Sequence, residues 1–160
     1  FIITPAQRHH TPAIHAMIRE LAQFEKLEHL VKGTIADLEK ELFGERPITE
    51  AITALMDDTP VAFALYFHNY STFLGRKGLY LEDVYVKPAF RRRGIGRALL
   101  IHLARIAVER GCGRFEWSVL DWNAPAIAFY EGLGATVMPE WRIVRVTGEA
   151  LTALADKKGG

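Results

Sequence analysis

The chain has 160 residues, 49% of them hydrophobic and 24% charged, with 20 lysines and arginines against 19 acids and a net charge of +1. That is one domain's length and the composition of an ordinary soluble globular protein, which excludes disordered, collagen-like and coiled-coil chains. One cysteine, Cys112, rules out an internal disulfide framework and fits the reducing cytoplasm.

The elements follow in chain order. The opening Phe1–Pro5 is too short an apolar run for a signal peptide and is expected to form a first strand. The chain does not open on Met, so a few residues are expected to be missing or trimmed. Thr11-Pro12 starts a helix carrying Ile14, Met17, Ile18, Leu21 and Ala22 on one face. Thr34 starts a second, with Ile35, Leu38 and Leu42, ending near Gly44. Strands are predicted over 48–56, 61–70 and 79–87, with turns at 57–60 and 75–78, as an antiparallel meander closed by Pro88. A long helix spans 95–110 and stops at Gly111 and Gly113. A strand over 114–120 follows. Asn123 then caps a short helix running to about Tyr130, a final strand covers 143–146, and a short helix covers 149–155. No apolar run reaches the roughly 18 residues of a membrane span, so no membrane partner is expected. The order βααβββαβαβ predicts a single mixed α/β domain over residues 1–160.

The charge is unevenly placed. Between Lys87 and Arg114 eight basic residues face one acid, giving +7 and leaving −6 for the remainder of a +1 chain. A local basic island in an acidic protein suggests an anionic ligand bound at one place. At the island's start a strand ends, an Arg/Gly loop follows, and a helix begins at once: Lys87-Pro-Ala-Phe-Arg91-Arg92-Arg93-Gly94-Ile95-Gly96-Arg97. Unpaired N–H groups at a helix start attract phosphate, glycines allow close approach, and arginines add charged donors. This is a candidate pyrophosphate cradle. A Rossmann loop would need a third glycine where Leu99 stands, and the lysine of a P-loop is absent. A tight strand-to-helix connection with solvated arginines is the plainer alternative. A nucleic-acid surface is disfavoured by the acidic remainder and by the lack of interleaved aromatics beyond Phe90.

Arg91-x-x-Gly94-x-Gly96 at a strand-to-helix turn resembles the acetyl-CoA signature of the GCN5-related N-acetyltransferases. Leu21-Ala-Gln-Phe-Glu-Lys-Leu27, Tyr80-Leu-Glu-Asp83, Val119-Leu-Asp-Trp-Asn123 and Phe129-Tyr130 are similar to the diamine (spermidine/spermine) acetyltransferase branch, and closer still to its thialysine N-epsilon-acetyltransferase subgroup. The resemblance implies a mostly antiparallel twisted central sheet flanked by helices, with a splayed strand pair at the cofactor site. It implies acetyl-CoA as co-substrate, a small cationic amine as acceptor, and a homodimer.

Acyl transfer needs a neutral amine nitrogen. An alkylammonium with a pKa near 10.4 is about 3.4 pH units from neutrality at pH 7, or about 4.6 kcal/mol. By resemblance Glu82 acts as the base through a water, and Tyr130 as the acid that reprotonates the thiolate. The backbone of Val84, Tyr85 and Val86 contacts the pantetheine arm, with the Val84 N–H the candidate oxyanion donor. The cofactor set continues through Arg91, Arg92, Arg93, Gly94, Ile95, Gly96 and Arg97 to Asn123, Pro125, Ala126 and Tyr130. Phe24, Glu25, Glu28, Glu82, Asp83, Glu140 and Trp141 match positions that gather the amine. Plainer readings stand beside these: Glu82 as an exposed strand carboxylate with Asp83 on the opposite face, Tyr130 as packing, Asn123 as a helix cap, Glu25 and Glu28 as a solvated helix end. Thr72 and Phe73 depart from the polyamine enzymes, which have an acid and a tryptophan there, so a shorter amine is expected. The six histidines lack metal-ligand spacing, so no metal is expected. Two alternatives remain: a protein N-terminal or lysine acetyltransferase, and a non-catalytic acyl-CoA sensor.

Overall fold

A computed structural model describes residues 1–159, which divide into two compact units, 1–118 and 119–159. The first unit holds β1 (Ile2–Pro5), α1 (Thr11–Phe24), α2 (Ile35–Phe43), β2 (Glu50–Met56), β3 (Thr59–Ser71), β4 (Arg76–Val86), α3 (Ile95–Glu109) and β5 (Phe115–Trp117). The strands lie in the order β1-β2-β3-β4-β5. All neighbours are antiparallel except β4 and β5, which run parallel and are joined through α3. The expected mixed, mostly antiparallel sheet with flanking helices is therefore present.

Local chemistry explains the element ends. Pro12 sits in the first turn of α1, where a missing N–H is harmless, and the Thr11 hydroxyl donates to the Arg8 carbonyl at 2.7 Å. Thr34 and Asp37 cap α2 reciprocally: the Thr34 oxygen accepts from the Asp37 N–H at 3.1 Å, and the Asp37 carboxylate from the Thr34 N–H at 2.9 Å. These bonds hold the Asp37 carboxyl below its usual range. Asp57 and Asp58 both adopt positive φ, 49° and 66°, as a tight two-residue hairpin turn requires. The expected turn at 57–60 shrinks accordingly, and Thr59 and Pro60 belong to β3. Pro60 lies beside a register shift at Ala54/Leu55, where its missing N–H is tolerated. The turn expected at 75–78 lies instead at 72–75. Gly78 is inside β4 opposite Asn69, whose side chain occupies the space a Cβ would need.

Both faces of the sheet are covered. Ile14 and Met17 of α1 and Leu42 of α2 pack on Ala51, Phe63, Leu65 and Tyr85. On the opposite face α3 contributes Ile95, Leu99, Leu100, Leu103 and Ala107 to the core, with Gly96 close to Val86. Central β3 is accordingly buried from Val61 to Tyr66, as a strand covered on both faces must be. At the far end of α3 Arg110 makes a two-pronged contact with Glu50, at 2.6 and 2.8 Å, over the Tyr66 ring. This pair lowers the Glu50 carboxyl and raises the guanidinium further.

The second unit holds α4 (Ala124–Gly132) and α5 (Gly148–Ala155). The strand expected over 114–120 is shorter, Phe115–Trp117. The strand expected at 143–146 is absent, and residues 141–147 are irregular. Ile143, Val144 and Val146 favour extended backbone, but they are exposed, and within their own unit no second strand completes a ladder. No helix among the described residues is long and apolar enough to cross a membrane.

Candidate active site

The site begins where β4 outruns β5. Their pairing ends at Leu81↔Trp117, so among the described residues no strand pairs with β4 on that edge from Glu82 to Val86. Along the other edge, β3 residues Leu65 and Tyr66 face Asp83 and Leu81, leaving Glu82 as an extra residue in a β-bulge. The bulge shifts the phase of every later residue. The Leu79 N–H donates towards β5, to Arg114, whereas the Lys87 N–H donates towards β3, to Val61. Counting back by twos from Lys87, the N–H groups of Tyr85 and Asp83 point to β3, and those of Val84 and Val86 point to the free edge. Of the three residues expected to contact the cofactor, Val84 and Val86 present their amides to that edge. Tyr85 is instead a core residue.

Next comes the arginine loop. Pro88–Phe90 forms one 3-10 turn, and α3 starts directly after Gly94. Arg92 and Gly94 take positive φ, 63° and 80°. Arg91 donates its N–H to Pro88 and Ala98 donates to Gly94, but among the described residues no N–H from Arg92 to Arg97 has a partner. Six successive amides with nowhere else to donate are what an anion needs. Ile95 can contribute only its backbone, because its side chain is buried. The arginines divide. The Arg91 side chain donates to the Val86 carbonyl at 2.8 Å and lies over the Tyr85 ring at 5.3 Å, bracing the loop against β4. Arg93 lies over Phe90 at 5.3 Å. Arg92, Arg93 and Arg97 make no ion pair, and their side chains stay exposed.

Three carboxylates lie close enough to act on one another at the bulge: Glu25, Glu82 and Asp83. Asp83 pairs with Leu65, so it shares the α1 and α2 face of the sheet. Glu25 is the C-cap of α1, where the chain turns through Lys26 at φ 60°. Asp83 is half-buried, and its carboxyl is pushed up to about 6 by that burial, then by the charges of Glu82 and Glu25. Burial also raises Glu25. Glu28 differs: its carboxylate accepts from Gln23 at 3.0 Å and faces Arg19 at 3.7 Å, so it is already partly neutralised. Phe24 lies half-exposed at the same helix end.

In the second unit Asn123 is the N-cap of α4, its side-chain oxygen accepting from the Ala126 N–H at 3.4 Å. Pro125 stands in the first turn, and Tyr130 lies in the helix with its ring 5.6 Å from that of Phe129. Glu140 and Trp141 follow in irregular chain, with Trp141 exposed. Among the described residues no group of histidine, cysteine or carboxylate side chains is arranged to hold a metal. The sequence reading missed the bulge, although a signal was present. The apolar alternation Leu79, Leu81 slips one residue before resuming at Val84, Val86.

Comparison with known proteins bears on this geometry. The model of the acetyltransferase (GNAT) family matches residues 15–135. A thialysine N-epsilon-acetyltransferase of Sus scrofa is 41% identical over 88% of this chain and 89% of its own length. An L-ornithine N5-acetyltransferase of Arabidopsis thaliana is 34% identical over 89% of this chain and 82% of its own. Among solved structures, an integron cassette protein of V. cholerae superposes with a TM-score of 0.81 at 28% identity, covering 98% of each chain.

Proposed function

This chain belongs to the acetyltransferase (GNAT) family and is an N-acetyltransferase, and from that premise we propose that it moves the acetyl group of acetyl-CoA directly to the primary amine of a small cationic substrate, a thialysine- or ornithine-like amino acid or a diamine. The observation that carries this reading is the run of unpaired N–H groups from Arg92 to Arg97, beside a strand edge whose Val84 and Val86 amides are also free. The first fits a pyrophosphate, with Arg92, Arg93 and Arg97 as charged donors. The second fits an extended pantetheine arm, which adds to β4 as a strand would. The Val84 N–H then donates to the thioester oxygen as negative charge develops there.

Glu25, Glu82 and Asp83 supply the attraction for a cation, with Phe24 and Glu28 at the same helix end, and Glu140 and Trp141 keep the amine-gathering role that the family resemblance implies for them. A carboxylate of the bulge is the base, with Glu82 acting through a water. Tyr130 is the acid for the departing thiolate, because it holds the tyrosine position of the Asn123-to-Tyr130 motif. Asn123, Pro125 and Ala126 attend the cofactor's arm. We assign the enzyme to the cytoplasm, as a homodimer of single-domain chains.

The test is coenzyme A release from acetyl-CoA across thialysine, lysine, ornithine, diamines, polyamines and peptides. Turnover is expected on the short amines, with Tyr130→Phe slowed most. Acetyl-CoA binding without turnover on any amine would overturn the enzyme reading in favour of a sensor.

A further inference from the structure

Burial along β3 shows where the helices stop covering the sheet. Phe63 and Leu65 are buried in the core with α1, but Phe67, two residues further on the same face, is only half-buried. Phe67 stands opposite Tyr80 of β4, and Tyr80 opposite Glu116 of β5, so all three side chains share the α1 face with Asp83. The rings of Phe67 and Tyr80 lie 5.2 Å apart and make an apolar floor. At its β5 side the Tyr80 hydroxyl meets the Ser118 hydroxyl at 2.9 Å. Whichever of the two donates, the other keeps a free O–H. Glu116 beside them is exposed, and among the described residues no cation pairs with it. This floor adjoins the acidic bulge. Asp83 and Tyr80 face Leu65 and Phe67, two residues apart on β3, so about 7 Å of sheet separates them. An extended lysine-like side chain spans that distance.

We propose that Tyr80, Ser118 and Glu116 form the subsite for the substrate's far end, and that this subsite selects a zwitterionic amino acid over a diamine. The inference rests on the acetyl-transfer reading and names the substrate class within it. With the reacting amine at the bulge, the chain of a thialysine- or lysine-like substrate lies over Phe67 and Tyr80, and its thioether or methylenes replace water on the two rings. The α-carboxylate accepts the free O–H of the Tyr80–Ser118 pair, a charge-assisted bond. The α-ammonium faces Glu116. A diamine offers a second ammonium to Glu116 but nothing that accepts from the hydroxyl pair. The ring contact with Phe67 needs no oxygen on Tyr80, and Ser118 is exposed, so the two hydroxyls are available to a ligand.

The test is the ratio of kcat/KM for thialysine to that for the diamine left when thialysine loses its carboxyl group. It is measured in wild type, Tyr80→Phe, Ser118→Ala, the double variant carrying both, and Glu116→Gln, with acetyl-CoA affinity as the measure of an intact fold. Wild type should favour thialysine about 10–100-fold, the worth of a hydrogen bond to a charged group. The double variant should bring the ratio close to parity. Each single variant should lose part of the preference, since the remaining hydroxyl still donates. Glu116→Gln should raise the ratio, because the diamine's far end depends on Glu116 alone. A residue with a merely structural role would slow both substrates alike. Should the double variant fail to bind acetyl-CoA, the two single variants are read in its place. A wild type that favours the diamine, or a wild-type ratio in the double variant, overturns the assignment. A wild type that binds acetyl-CoA but acetylates no amine overturns the enzyme reading itself, a distinguishable result.

Discussion

Asp83→Asn should make the protein more stable, and the size of the gain follows from the structure. The Asp83 carboxyl stands at about 6 in the fold against an ordinary 3.8. The folded state therefore holds a proton that the unfolded chain has released, and stability falls as pH rises between those values. The gap of roughly 2 pH units corresponds to about 3 kcal/mol at pH 8, when Asp83 is ionised in both states. Below about pH 4 the carboxyl is neutral in both states, and the asparagine should change little. Urea unfolding of the two proteins at pH 4, 5, 6 and 8 measures this directly. The variant's advantage should grow through the window from 4 to 6 and then hold constant. In thermal unfolding at pH 8 the gain corresponds to roughly 6–12 °C for a chain of this length. An Asp83→Asn protein equal to or weaker than wild type at pH 8, with the same difference at pH 4, would refute the reasoning. It would mean that Asp83 finds a compensating partner in solution.

Arg92→Gly should separate stability from ligand binding. It relieves a non-glycine residue at φ 63°, worth about 1 kcal/mol in thermal unfolding, while weakening coenzyme A several-fold by calorimetry through the lost cation. The Glu50–Arg110 pair is partly exposed, so a double-mutant cycle with Glu50→Gln and Arg110→Met should give a coupling of about 1 kcal/mol in urea. Because the pair lowers the Glu50 carboxyl, that coupling is complete above its ordinary value of 4.5 and should disappear as pH falls below it.

Much of the fold was legible because the signals were local. Pro12, Thr34, the Asp57-Asp58 pair, Gly94 and Asn123 each mark an element boundary through their own backbone chemistry, and the structure places a boundary at each. The failures come where structure depends on partners. Residues 143–146 have a strand's composition, but a strand needs a neighbour, and composition names none. Gly78 signals a turn by its type, yet it serves a crowded point inside β4. At the site, the arginine loop was legible as a strand-to-helix turn rich in donors. The division of labour among Arg91, Arg92 and Arg93 was not, because Arg91's bond to Val86 arises only once the loop folds back on β4. The bulge was written in the slip from Leu81 to Val84, but two adjacent acids drew attention away from the apolar phase.

The bulge also explains why the departures from ordinary packing gather in one stretch of β4. A regular strand would carry the Leu79 pattern through to Val86 and leave the N–H groups of Asp83 and Tyr85 on the open edge. One inserted residue reverses that phase, putting the amides of Val84 and Val86 on the open edge and the Asp83 carboxyl on the α1 side. The same insertion thus creates both a free donor and an unpaired acid. Neither benefits folding: unpaired amides and a half-buried carboxyl beside like charges are each destabilising. The positive φ of Arg92, beyond the end of the same strand, adds strain of the same kind. Deleting Glu82 should restore the regular ladder and a more stable sheet. The amide and carboxyl orientations that the proposed acetyl transfer uses would be lost with it.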